Sequence, residues 1–263
     1  MKIVLCIKQV PDTSDIKWTE NNTIQREGLE SIMNPYDVYA LEAALKLKKT
    51  VENVENVEIS ALTMGPDQAA DILKKAIALG VDNGILLSDK KFAAADTYAT
   101  GKTIGTAIKT KLPDYDLIIC GQFAIDGDTA QTGPSIANTL DLPQVSYVQE
   151  ILSCENGYLT VRRELDDGTE TVKVKLPALI CVLKDYFEPT RAKINGIIKA
   201  QQAEIKTYGF EDLGLNAEEV GLKGSPTYVS KAFRPETKNV QCKIFTDCKE
   251  LAETIKVCGG LNE

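Results

Sequence analysis

The stretch Leu117-Ile118-Ile119-Cys120-Gly121-Gln122-Phe123-Ala124-Ile125-Asp126-Gly127-Asp128-Thr129-Ala130-Gln131-Thr132-Gly133-Pro134 decides the reading of this chain. Its first four residues are an uninterrupted apolar run, the signature of a central strand covered on both faces. A glycine-rich loop follows, and a helical segment is expected from about Thr129 to Leu140. In an open α/β sheet, ligands bind beyond the carboxyl ends of the strands, where a helix N-terminus offers backbone N–H groups to a phosphate. Gly121, Gly127 and Gly133 permit close approach of the backbone, and Thr129, Gln131 and Thr132 add neutral donors. The loop contains no Lys or Arg, so the helix dipole carries much of the anion stabilisation. A capped helix after a tight turn, with Asp128 and Thr129 as caps, accounts for the same residues equally well. The spacing is neither G-x-G-x-x-G nor a P-loop.

Outward from this unit, short apolar runs alternate with segments of helical period, the pattern of βαβ units around a mostly parallel sheet. Ile3 to Ile7 reads as the first strand. Asn34-Pro35 opens a helix with Asn at the N-cap and Asp37 at N3, and Val38, Leu41, Ala44 and Leu45 form its buried stripe. Val57 to Met64 is a strand turned by Gly65-Pro66, Ala69 to Leu79 a helix stopped at Gly80, and Ile85 to Leu87 a third strand. Asp96 to Lys111 is a helix. Beyond Pro143 shorter alternating segments appear: Leu159 to Leu165 and Thr169 to Leu176 flank Asp167-Gly168 as a β-hairpin, and Ala178 to Leu183 is another buried strand. After Tyr186 the periodicity fades, leaving after about Tyr208 a short helix from Lys249 to Val257. Two parts are expected: an α/β domain over 1–208, an open and mostly parallel sheet with helices on both faces, and an extended C-terminal arm over 209–263.

Composition removes several classes of function. Among 263 residues there is no histidine, which excludes Ser-His-Asp and Cys-His nucleophilic machinery. Cysteines at 6, 120, 154, 181, 242, 248 and 258 include no C-x-x-C, so no metal set is expected and reduced thiols are the default. With 30 Lys and Arg against 38 Asp and Glu the net charge is −8, which gives no electrostatic footprint for nucleic acid or anionic membrane. Lys8 interrupts the first apolar run too early for a signal peptide or membrane span, so a cytoplasmic protein without membrane insertion is expected.

Three further segments could carry chemistry. Cys6 to Pro11 and Leu62 to Pro66 leave the first two strands at the same sheet edge as the glycine loop, if the units are parallel and right-handed. Asn34-Pro35-Tyr36-Asp37 could face an adenine or ribose, although it also reads as an ordinary helix start. Glu188-Pro189-Thr190-Arg191-Ala192-Lys193-Ile194-Asn195-Gly196 places cations beside exposed apolar residues, which suits either a flavin-facing cation or a docking loop.

Taken together, Lys8 to Asp12, Asn34 to Asp37 with Ala40 to Ala44, Met64-Gly65-Pro66, Gly121 to Pro134 and the hairpin block from Val161 to Ile180 resemble the β subunit of electron transfer flavoproteins. The likeness covers essentially the whole chain. It implies a Rossmann-like domain paired with an α subunit that carries FAD. Conventional β subunits hold AMP; electron-bifurcating ones hold a second FAD that takes hydride from NADH and divides the electrons between ferredoxin (or flavodoxin) and, through the α-subunit FAD, a flavin-dependent dehydrogenase of acyl-CoA or hydroxyacid (lactate) type. Asp126-Gly127-Asp128-Thr129 and Pro189-Thr190-Arg191 resemble the bifurcating kind. By matching position, the resemblance assigns the nucleotide to Cys6, Lys8, Asn34, Pro35, Tyr36, Asp37, Met64, Gly121, Gln122, Phe123, Ala124, Ile125, Asp126, Gly127, Asp128, Thr129, Ala130, Gln131 and Thr132. It assigns the flavin ring to Arg191 and the dehydrogenase contact to Ile194.

Overall fold

A computed structural model describes residues 1–12, 31–50, 57–185, 188–230 and 243–257. Cys242, Cys258 and parts of the expected C-terminal arm lie outside them. The chain divides into two compact units, Met1–Ser230 and Lys231–Glu263.

The first unit is built on a nine-stranded sheet. Its parallel core comprises β1 (Lys2–Cys6), β4 (Glu58–Met64), β5 (Asn83–Leu87), β6 (Leu117–Gly121) and β10 (Ala178–Val182). These lie in the order β5-β4-β1-β6-β10. β2 (Gln9–Pro11) and β3 (Ser31–Met33) form a separate antiparallel pair just beyond β1. Every residue of β10, and the last four of β1, is buried, because a strand covered on both faces must be apolar on both.

Successive residues of β1 feed opposite layers. Ile3 and Leu5 join α1 (Pro35–Thr50) and α2 (Ala70–Leu79) on one face, while Val4 and Cys6 join α3 (Thr97–Lys111) and α4 (Thr132–Leu140) on the other. Each fully buried Leu or Ile contributes roughly 1.5–3 kcal/mol. The expected α/β sheet with helices on both faces is the observed fold. Chain order reverses between β1 and β6, which makes their carboxyl ends the topological switch point where such sheets open a crevice.

The structure corrects the reading at several places. α4 begins at Thr132 rather than Thr129, after two residues in left-handed backbone, Asp128 (φ 53°) and Ala130 (φ 55°). Asp128 and Thr129 therefore belong to the loop, and the N-cap position falls to Gln131. A twelve-residue strand, β7 (Gln144–Glu155), was not expected. Its first half runs parallel to β10, and its second half pairs antiparallel with β8 (Tyr158–Leu165). Asn156 (φ 51°) and Gly157 (φ 74°) supply the left-handed turn between them. In the hairpin of β8 with β9 (Gly168–Lys175), Leu165 pairs with Gly168, so the two loop residues are Asp166 and Asp167, one position earlier than expected.

Among the described residues after Tyr186, the chain carries more regular structure than its faded periodicity implied. α5 (Ile194–Gln202) packs beside α2, and β11 (Lys206–Tyr208) adds a parallel edge strand to β5. Phe210 and Leu213 of the single-turn α6 (Phe210–Leu213) are buried in the same layer as α3 and α4. The second unit contains α7 (Cys248–Val257), close to the expected terminal helix.

Candidate functional site

At the switch point, the first turn of α1 holds both neighbouring loops. Asn34 donates its side-chain amide to the Phe123 carbonyl (2.8 Å) and accepts the Ile125 N–H on its side-chain oxygen (3.2 Å). Its own N–H donates to the Lys8 carbonyl (2.9 Å). Asp37, buried three residues on, accepts the Lys8 N–H (2.6 Å). Burial pushes the Asp37 carboxyl up to about 7, against hydrogen bonds from Lys8, Asn34 and Gly121 that favour its charged form.

The space for this arrangement comes from glycine. A Cβ at Gly121 would collide with Asp37 Oδ1 and lie 2.8 Å from the Tyr36 backbone. A Cβ at Gly133 would collide with Cys181 Sγ, so the bare backbone lets the first turn of α4 settle onto the strand ends. Gly121 and Gly133 therefore answer to packing inside the protein. Gly127 differs, since a Cβ there would meet nothing within 4 Å.

Beneath the loop, Cys6, Cys120 and Cys181 stand in register on β1, β6 and β10. A hydrogen bond with Cys6, together with burial, raises the Cys120 thiol, and burial pushes Cys181 up to about 12. Cys120 and Cys181 thus stay protonated near neutrality and act as small packing groups.

The loop itself is folded back by Gly127 and Asp128, whose N–H groups donate to the Ala124 carbonyl (3.1 and 2.7 Å). Lys8 reaches in from β1 and pairs with both oxygens of Asp126 (2.6 and 2.8 Å). The loop has no cation in its sequence, yet the fold supplies one. Thr97, at the start of α3, donates its hydroxyl to Gln131 (3.1 Å). Phe123 sits edge-on between Tyr36 (5.3 Å) and Tyr147 (6.1 Å), and Lys184 Nζ lies 5.9 Å from the Tyr36 ring. Gln122 is buried, its N–H bound to the Val182 carbonyl (2.8 Å) and its side-chain oxygen to the Tyr147 N–H (2.6 Å). Met64 ends β4, and the Gln9 amide reaches the Gln68 carbonyl from the neighbouring strand end (3.4 Å). The three strand exits thus open on one edge.

Arg191 and Ile194 lie apart from this cluster in sequence, in the segment that follows β10. Both are exposed, Ile194 to 77%, and Ile194 opens α5. Thr97, Tyr147 and Lys184 are contacts that the sequence did not indicate for this site, whereas Gln122 was expected there. Thr97 carries a faint signal as the first residue after the Asp96 cap, and Tyr147 carries none.

The electron transfer flavoprotein domain matches residues 21–213 of this chain. A relative from Acetobacterium woodii named caffeyl-CoA reductase-Etf complex subunit CarD is 43% identical over 90% of this chain and 89% of its own. The electron transfer flavoprotein subunit beta of Megasphaera elsdenii is 42% identical over 91% of this chain and 89% of its own. The acryloyl-CoA reductase electron transfer subunit gamma of Anaerotignum propionicum is 38% identical over 97% of this chain and 96% of its own.

Proposed function

The chain belongs to the electron transfer flavoprotein family as a β subunit, and we propose that it binds FAD at the switch point and accepts hydride from NADH there. The observation that carries this reading is the set of groups converging on the Gly121–Gln131 loop. The N-terminus of α4 and the neutral donors Thr129, Gln131 and Thr132 around it suit a diphosphate, Gly127 leaves room for it, and the Lys8 ammonium, paired with Asp126, lies at the same loop. Met64, at the exit of β4, and Tyr36, in the first turn of α1, are the residues assigned to the adenosine in this reading. When bound, the flavin supplies a hydride acceptor whose electrons leave singly.

The chain's own part is to bind, orient and tune. Asn34 and Asp37 fix the loop backbone, and Arg191 offers positive charge to a reduced ring, one of the levers by which proteins set flavin energetics. A bound flavin would supply one electron to ferredoxin or flavodoxin and the other, by way of an α-subunit FAD, to a flavin-dependent dehydrogenase of acyl-CoA or hydroxyacid type, for which Ile194 would be the contact. Relatives named for caffeyl-CoA and acryloyl-CoA reductases support the acyl-CoA alternative. Localisation in the cytoplasm belongs to the same proposal; among the described residues no helix is long and apolar enough to cross a membrane.

Cofactor extraction from the purified αβ heterodimer tests the reading. Two FAD per heterodimer are expected. One FAD and one AMP would instead establish the conventional, non-bifurcating type, whose smaller ligand the same phosphate donors also fit.

A further inference from the structure

We infer that Glu42 is a positioning residue for Arg191, holding the Arg191 segment at a fixed place relative to the phosphate loop; this deepens the flavin reading above and rests on it. Glu42 lies on α1, buried to 6%. Its two oxygens serve one distant residue: Oε1 accepts the Thr190 N–H (2.6 Å) and Oε2 the Thr190 hydroxyl (2.7 Å). Nearly one turn earlier on the same helix, Tyr39 donates its hydroxyl to Asp185 (2.9 Å). α1 therefore grips the chain on both sides of 186–189, and its first turn grips the loop after β6.

A carboxylate removed from water costs several kcal/mol unless its oxygens are satisfied. Here they are satisfied by a residue 148 positions away that lies in no strand or helix. The bond joins α1 to a segment that lies outside the sheet and the helical layers. What it fixes is the backbone frame of Thr190, and hence the direction in which Arg191 leaves. Pro189 stiffens the approach from the other side by locking its own φ. Arg191 is exposed and forms no ion pair among the described residues, so its guanidinium is left available while its backbone is anchored one residue away. Displacing a charged group by about 1 Å costs up to roughly a hundredfold in rate when geometry matters.

The test uses the full-length αβ heterodimer with its native flavins. Thr190→Val keeps the side-chain shape and the N–H but removes the hydroxyl, and Glu42→Ala removes both acceptors. Both are expected to raise amide exchange at 190–191, to shift the reduction potential of the flavin on this subunit, and to slow its reduction by NADH on the order of tenfold with KM for NADH unchanged. Thr190→Ser is expected to restore wild-type values. Thr190→Val keeps the N–H bond to Glu42 Oε1 and lies outside every strand and helix, so misfolding of Glu42→Ala leaves the question decidable. Raised amide exchange in Thr190→Val with an unmoved potential and rate would overturn the inference. Flavin content of the wild type, measured in the same preparation, separates the two readings: an absent flavin refutes the flavin proposal itself, whereas a bound flavin indifferent to Thr190→Val refutes only the role of Glu42.

Discussion

Two segments leave neighbouring parallel strands at the same sheet edge, one after β6 and one after β10, and α1 holds both by different means. The loop after β6 is fixed many times over. Asn34 binds it from both sides of its amide, Gln122 ties its start to Val182, and Phe123 is wedged between two tyrosine rings. The segment after β10 is held by two helix side chains, Tyr39 and Glu42. Redundant backbone anchoring suits a cradle that must present N–H groups in fixed directions. A tether of two side chains suits a group whose placement can be adjusted by single substitutions.

Asp37 is where the first of these holds is most exposed to perturbation, and the largest effect is expected there. Its folded-state value near 7 exceeds its ordinary 3.8, so the folded protein binds the proton more tightly than the unfolded chain. Unfolding then releases the proton between about pH 4 and 7, and stability falls as pH rises through that window, the reverse of the usual carboxylate. The swing is on the order of 4 kcal/mol. Urea denaturation at intervals from pH 4 to 8 is expected to show this decline in the wild type and a flatter profile in Asp37→Asn. Parallel profiles would show that the carboxyl ionises in the fold at its ordinary pH.

Gly121 and Gly127 sharpen the same contrast within a single loop. Gly121→Ala must displace Asp37 or the backbone of Tyr36, and is expected to lower stability by about 1–3 kcal/mol together with nucleotide content. Gly127→Val has open space, so its stability should change by no more than about 0.5 kcal/mol. If the proposed flavin places its diphosphate there, β-flavin occupancy should nonetheless fall, because the added side chain would enter that space. Thermal melts read alongside flavin absorbance check both. Full occupancy in Gly127→Val would place the phosphates elsewhere along the loop.

Much of this was legible in the sequence, and the failures have physical causes. Apolar runs and glycine stops identified the parallel core because those residues answer to local period and to burial on both faces. β7 escaped because its two halves pair with different partners, parallel and then antiparallel, so no single alternation spans it. The start of α4 was misplaced because Asp128 and Thr129 have good capping chemistry, whereas Asp128 and Ala130 adopt left-handed backbone and the Asp128 N–H turns back to the Ala124 carbonyl. Asn34 and Asp37 were noticed as a helix start, but their cross-loop bonds depend on β1 and β6 lying side by side, which no local pattern encodes. Glu42 had a faint mark: it falls four residues after Val38 and three before Leu45, inside the buried stripe of α1. A charge in that stripe calls for a buried partner, and only the fold names Thr190.

Arg191→Ala tests the role proposed for the segment after β10. NADH-dependent ferredoxin reduction is expected to fall on the order of tenfold, about 1.4 kcal/mol in the barrier, while heterodimer assembly is retained. Equal loss of both would make the guanidinium a structural contact with the α subunit.

The smallest effect on stability is expected at the Lys8–Asp126 pair, and it probes whether the cradle carries a cation of its own. Both side chains are partly exposed, 48% and 24%, so the pair is worth less than about 1 kcal/mol to the fold. Removing Asp126 has a larger effect on an anionic ligand than on the fold, because Asp126 neutralises the cation that reaches the loop from just beyond β1. Asp126→Asn should leave the melting temperature almost unchanged, tighten pyrophosphate binding to the flavin-stripped heterodimer a few-fold, and steepen the salt dependence of that binding. Lys8→Met should weaken the same binding and flatten its salt dependence. If neither substitution alters the salt dependence, the phosphate is held by backbone dipoles and neutral donors alone, and Lys8 serves only to fasten the loop after β6 to the end of β1.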